Sequence, residues 1–213
     1  MTLTIKMAQT DAGTLSKTSK MPGRSIGTPA VNCHVGSKLR QVEGSVCFDC
    51  YAYKGAYRQY EKNVKPAQEY RLARVLDGEN DPERWISAMV KLIKSQTYFR
   101  WHDSGDLQGA WHLANILEVC RRTPNTSHWL PTREYEMVWA MDAPVPQNLV
   151  IRGSGHMVDG PAPQGFRNTS TVVTDGSHDC PAYAQGGSCD AADGTECRRC
   201  WDPTVINVSY PKH

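Results

Sequence analysis

Tyr98-Phe99-Arg100-Trp101-His102, Ser127-His128-Trp129-Leu130 and Asn148-Leu149-Val150-Ile151-Arg152 are three short β-like runs, separated by helical patterns at Gly109 to Arg121 and Glu134 to Met141. Parallel strands need a crossover of a dozen or more residues, usually a helix, so this alternation predicts parallel pairing. Two further runs, Ser170-Thr171-Val172-Val173-Thr174 and Val205-Ile206-Asn207-Val208-Ser209, bring the expected strands to five. The predicted class is α/β: a partial βα barrel or a parallel sheet, with a Cys-rich metal-binding C-terminal segment. In such folds the functional side chains sit on loops beyond the C-terminal strand ends.

Upstream, Tyr57, Tyr60, Val64, Ala67 and Val75 recur near helical period, and Pro66 is expected to kink or split that stretch. Asp81-Pro82-Glu83-Arg84-Trp85 carries a helix start, with Asp at the cap and Pro at the first position. Cys120 falls at helical spacing among apolar neighbours and is expected to be a buried small hydrophobe. Three regions follow: residues 1–30, rich in Thr, Ser, Lys, Gly and Pro, as an N-terminal loop or arm; 31–175 as the βα core; and 176–213 as a Cys-rich segment packed on it.

Lys and Arg number 24 against 22 Asp and Glu among 213 residues, so no global field selects nucleic acid or an anionic membrane as partner. Mean hydropathy is −0.54. No apolar run approaches the roughly 18 residues of a membrane span, so no membrane partner is expected. The first ten residues lack an apolar signal core, so the expected location is the cytoplasm. In that reducing compartment, thiols paired two residues apart point to metal rather than to disulfides.

Eight cysteines form two groups and a loner. Cys33, Cys47 and Cys50 offer three thiolates, which would leave one iron of a [4Fe-4S] cluster open to an outside ligand. Zinc would need a fourth ligand, such as His34, and ligand count favours the cluster. Cys180, Cys189, Cys197 and Cys200 offer four thiolates that close a site, and their spacing suits zinc or a second [4Fe-4S] cluster equally. Beyond the first three predicted strands stand His102-Asp103-Ser104-Gly105-Asp106, Arg133-Glu134 and Gly153-Ser154-Gly155-His156. Their convergence on one rim would form a polar pocket, with Asp106, Arg133 and His156 as candidate catalytic or ligand-positioning residues.

Cys47-Phe48-Asp49-Cys50-Tyr51-Ala52, followed by a Tyr- and Arg-rich helix, resembles the cluster segment of radical S-adenosylmethionine enzymes. The usual CxxxCxxC spacing is not kept, because Cys33 lies well upstream of Cys47. Ser19-Lys20-Met21-Pro22-Gly23, Phe99 to Leu107, Leu130-Pro131-Thr132-Arg133-Glu134-Tyr135 and Asn207-Val208-Ser209-Tyr210-Pro211 resemble the phage and plasmid family called gene product 88, across nearly the whole chain. The wider resemblance implies a [4Fe-4S] cluster on Cys33, Cys47 and Cys50. It also implies that Ser104, Gly105 and Asp106 meet the amino group of S-adenosylmethionine.

The leading expectation is therefore a phage-type iron-sulfur protein, performing radical or redox chemistry on a nucleotide or small metabolite. One alternative is a zinc-stabilised nucleic-acid or protein binding module, with Lys17, Lys20, Arg24, Arg198 and Arg199 contacting phosphates. Another is an iron-sulfur protein that only transfers electrons.

Overall fold

The structure, a computed structural model, describes residues 2–190 and 194–212. Part of the loop between Cys189 and Cys197 thus lies outside the described residues. Six strands form one sheet: β1 (Arg24–Ile26), β2 (Tyr98–Trp101), β3 (Ser127–Thr132), β4 (Leu149–Val158), β5 (Asn168–Val173) and β6 (Asn207–Pro211). All pairings are parallel and the strand order is the chain order. Crossovers of one hand that always step the same way place their helices on one face, which is the winding of a βα barrel. The coarse α/β, parallel-sheet expectation is met.

The five expected strands are all present, and the sixth, β1, lies in the stretch read as an arm. Three residues are too short to show alternation. β1 forms because Ile26 pairs with Trp101 of β2 and is 3% exposed. The same stretch holds helix α1 (Ile5–Ala12), whose Ala8 and Ala12 pack into the main core. The reading of 1–30 as loop is corrected on both counts. Its small and polar residues carry little hydropathy signal, and tertiary packing supplies the order.

Between β1 and β2 come α2 (His34–Leu39), α3 (Gly55–Gln59), α4 (Glu61–Asn80) and α5 (Pro82–Ile93). The break expected near Pro66 falls earlier, at Tyr60, and Pro66 is carried inside α4. Asp81 caps α5 as predicted, its carboxylate accepting from the Arg84 amide at 3.3 Å. Helices α6 (Ala110–Arg122) and α7 (Tyr135–Trp139) follow β2 and β3.

Alternation along the strands sorts side chains between two faces. Phe99, Trp101 and Leu130 join Trp85, Met89 and Ile93 of α5 and Leu113, Ile116 and Cys120 of α6 in the main core. Cys120 is fully buried, as expected. Tyr98 and Trp129 belong to a second cluster with Cys200, Trp201 and Val208. The C-terminal segment is therefore packed against the sheet by its own apolar residues.

Burial holds His112 and His128 neutral, pushing their pKa down to about 3 and about 4. In the unfolded chain both protonate below about 6.5, so that state binds more protons and stability falls as pH falls. Asp106, whose carboxyl is pushed up to about 6 by burial, partly offsets this below pH 6. The expected net loss is at least about 1.4 kcal/mol per pH unit from pH 6 toward 4. Urea midpoints measured across that range should fall steadily, and a constant midpoint would contradict the neutral burial of these histidines.

Candidate metal centre

The first cysteine group lies between β1 and β2, and each of its members is moored to the end of a different strand. Cys33 precedes α2, and the Val35 amide two residues on donates to Glu134 Oε1, just past β3, at 2.9 Å. Cys47 follows a short antiparallel pairing with the end of β4. There the Val46 amide donates to the His156 carbonyl at 2.8 Å and the Val158 amide to that of Gly44 at 2.9 Å. Cys50 is followed by Tyr51, whose hydroxyl donates to the Asp103 carbonyl just past β2. The Tyr57 hydroxyl reaches the same oxygen at 3.2 Å. Within the CxxC turn the Cys50 amide donates to the Cys47 carbonyl at 3.2 Å.

Gly36 leaves room between two of the sulfurs. A Cβ there would stand 3.6 Å from both Cys33 Sγ and Cys47 Sγ. Burial pushes the Cys33 and Cys47 thiols up, with further upward pressure from Cys50, Asp106 and Glu134, while Arg133 pulls Cys47 down. The thiols are neighbours that feel one another's charge. As placed, no group of three or more His, Cys, Asp or Glu among the described residues is set to hold a metal ion. Ligation would therefore require side-chain convergence and the loss of thiol protons.

Around this group, Asp106 ties two loops together. It is 6% exposed, and its carboxylate accepts from Thr132 Oγ1 at 2.6 Å and from the amides of Leu107 and Arg133 at 2.8 and 2.9 Å. The Ser104 hydroxyl donates to the Thr28 carbonyl at 2.8 Å and accepts from Gln68 at 2.6 Å. Gly105 has φ +76°, and a Cβ there would lie 2.0 Å from Thr28 Oγ1, so glycine lets the β2 loop close on the segment after β1. Arg133 Nε donates to the Gly155 carbonyl at 3.2 Å. His156 stacks on Tyr135 with ring centroids 4.5 Å apart, and its Nε2 has no partner among the described residues. Gly153-Ser154-Gly155 and His156 lie inside β4, not beyond it, because the strand runs on to Val158. Gly153 accommodates the Phe166 ring, 2.6 Å from where a Cβ would be. His102 is buried at φ +53° with neither ring nitrogen hydrogen-bonded, its Nδ1 3.9 Å from Asp106.

The second group is built differently. Cys189 and Cys197 flank the antiparallel Asp190–Glu196 bridge, and the Cys197 amide donates to the Cys189 carbonyl at 2.8 Å. Cys180 is held against β6 through the Ser209 carbonyl at 3.0 Å. Cys200 is 7% exposed, and its sulfur lies 3.1 Å from the Tyr210 hydroxyl. Burial pushes Cys189 up to about 12 and Cys200 up to about 11, and Cys180, Cys197 and Cys200 all act on Cys189. These four thiols fall in the single stretch from Cys180 to Cys200, and as placed they too form no group set to hold a metal ion.

The family model for gene product 88 matches residues 4–213. The chain belongs to the gene product 88 family. The family is of bacteriophage type, and no curated protein and no solved structure matches the chain. The resemblance of the cluster segment to radical S-adenosylmethionine enzymes finds no support in these comparisons. No helix among the described residues is long and apolar enough to cross a membrane.

In this gene product 88 protein, sequence reasoning found the thiols and the rim but missed what holds them. The moorings from Val35, Val46 and Tyr51 rest on main-chain or hydroxyl contacts with residues tens of positions away, which leave no local pattern. Arg152 left a signal that was readable: a lone charge within an otherwise apolar strand run, here 0% exposed.

Proposed function

We propose that this gene product 88 protein is an iron-sulfur protein, with Cys33, Cys47 and Cys50 holding a [4Fe-4S] cluster that keeps one iron free for an outside ligand. The supporting observation is the triple mooring: three cysteine-bearing turns hang from the ends of β2, β3 and β4, around Asp106, Arg133 and Glu134. The donor set fits the group in its chemistry, being three thiols that are buried or half-buried, with Gly36 between two of them. When bound, such a cluster supplies one-electron chemistry to whatever occupies its open iron.

The chain's own residues then divide the remaining work. Asp106 is a positioning residue, since its oxygens clasp Thr132 and the Arg133 amide and so set the β3 loop. Arg133 and His156 are the candidates for orienting a small-molecule or nucleotide substrate: a guanidinium for its anionic group and a ring nitrogen with no partner of its own. S-adenosylmethionine, met through Ser104, Gly105 and Asp106, is the finer form of the proposal. Cys180, Cys189, Cys197 and Cys200 are proposed to hold zinc or a second cluster. The rival binding-module reading is weakened because Arg198 pairs with Asp190 at 2.6 Å and Glu196 at 3.2 Å, and Arg199 with Asp179 at 2.6 Å.

Purification without oxygen, a visible spectrum and a count of iron and sulfide test the proposal. A brown protein with about four irons and four sulfides for the first centre is expected. A colourless, zinc-only protein ends it. Equilibrium binding of S-adenosylmethionine to the iron-loaded chain separates the enzyme from a pure electron carrier, which would bind none and show a reversible one-electron couple.

A further inference from the structure

Trp139, the last residue of α7, is 55% exposed, whereas the other tryptophans are buried or half-buried. Its ring is nonetheless held: the Tyr135 and Phe166 rings stand 5.7 and 5.9 Å away, centroid to centroid. Tyr135 in turn meets Phe166 at 5.0 Å and stacks on His156 at 4.5 Å with the planes 13° apart. Gly165 has φ +77°, and a Cβ there would lie 3.1 Å from the indole nitrogen, so glycine lets the loop before β5 rest against the ring. The set stands where β3 ends, since Thr132 is level with Gly153 of β4, against which Phe166 packs. On α7 no other large apolar side chain is exposed, so this is a single fixed ring in water and not a broad apolar docking face.

The charge beside this ring set is positive. Arg133, one residue past β3, uses its Nε on the Gly155 carbonyl, next to His156, and its two terminal nitrogens make no hydrogen bond or ion pair among the described residues. Arg167, adjacent to Phe166, is exposed and is likewise in no ion pair among them. Asp106 and Glu134 are already engaged, the first by Thr132 and the amides of Leu107 and Arg133, the second by the Val35 amide. That leaves Glu136 as the unpaired acid on α7 against two unpaired guanidiniums. An exposed, fixed π face beside free guanidinium nitrogens is complementary to a ligand that joins a flat ring to an anion.

We propose that Trp139 and Arg133 bind a nucleoside phosphate, the indole stacking on its base and the guanidinium meeting its phosphate. The inference rests on the reading of Arg133 as a substrate-orienting residue and deepens it, because it chooses a nucleotide over other small metabolites and adds the platform for its base. Tyr135 and Phe166 are positioning residues that fix the indole. Stacking is tolerant of base identity, so the platform selects for a nucleobase without selecting among the bases.

The test uses the full chain purified without oxygen, with iron counted in the same sample. Calorimetric titrations take AMP, adenosine, ribose 5-phosphate and S-adenosylmethionine as probes. AMP should bind about tenfold or more tightly than either adenosine or ribose 5-phosphate. Trp139→Ala should weaken AMP about tenfold and leave ribose 5-phosphate unchanged, while Trp139→Phe stays within about threefold of the parent. Arg133→Gln should remove the advantage of AMP over adenosine. Tryptophan fluorescence is the second readout: AMP should quench a component that Trp139→Phe lacks. Equal AMP affinity in the parent and Trp139→Ala overturns the inference, as does a parent that binds no AMP. So does S-adenosylmethionine binding that depends on Trp139 when AMP binding does not, or a dimer that Trp139→Ala turns into a monomer, since the ring would then serve the cofactor or a second copy of the chain. A brown protein that ignores AMP fails this inference alone, and a colourless one that binds AMP fails the iron-sulfur reading alone.

Discussion

Cys47→Ala should empty the first centre of iron and sulfide and abolish its visible absorption, while the fold survives. Cys47 is the most deeply placed of the three thiols, at 7% exposure, sharing its turn with Cys50 and the Gly36 cradle with Cys33. Two thiolates would remain and two of the four irons would then lack a protein ligand, too few bonds to retain the cube. The neighbouring moorings are made by Val46, Val35 and Tyr51, so removing one sulfur leaves the loop in place. Cys120→Ala is the control, because Cys120 is fully buried in the helical core. It should cost about 1 kcal/mol in packing and leave the iron count unchanged. Iron lost from the Cys120 variant, or kept in the Cys47 variant, would show that the ligands are assigned wrongly.

Trp201→Ala should lower stability by about 3–5 kcal/mol. Trp201 is 6% exposed, its indole nitrogen donates to the Phe99 carbonyl at 3.0 Å, and its ring meets Tyr98 and Trp129 edge-on at 5.6 and 5.2 Å. It fills the space between the sheet and the C-terminal segment, so truncation leaves both a cavity and an unpaired carbonyl. Urea unfolding measures the loss, and limited proteolysis near Arg198 and Arg199 should become faster. A loss under about 1 kcal/mol would mean that the segment is docked by something other than this ring.

The parallel sheet was legible because β2, β3 and β4 each carry an apolar or aromatic run and are separated by helix-length intervals. β1 was not, since three residues offer no period and its order depends on pairing with β2. The candidate thiols were legible from spacing, and their grouping near Asp106 and Glu134 follows from a strand order that the alternation already implied. The extent of β4 was misjudged because glycine and serine in Gly153-Ser154-Gly155 mimic a loop, whereas here their small size admits Phe166. Arg133 and Glu134, adjacent in sequence, could have been a surface pair. Instead one amide goes to Asp106 and the neighbouring carboxylate to Val35, a division of labour that only the fold reveals.

The moorings also set an order of events during synthesis. Cys33, Cys47 and Cys50 leave the ribosome long before the residues that anchor them, and His156 emerges more than a hundred positions after Cys50. Until then the thiols have no fixed partners and are open to oxidation. If these thiols hold the proposed cluster, its loading is deferred until translation is well advanced, and the donors of iron and sulfide meet a nearly finished chain rather than a nascent one.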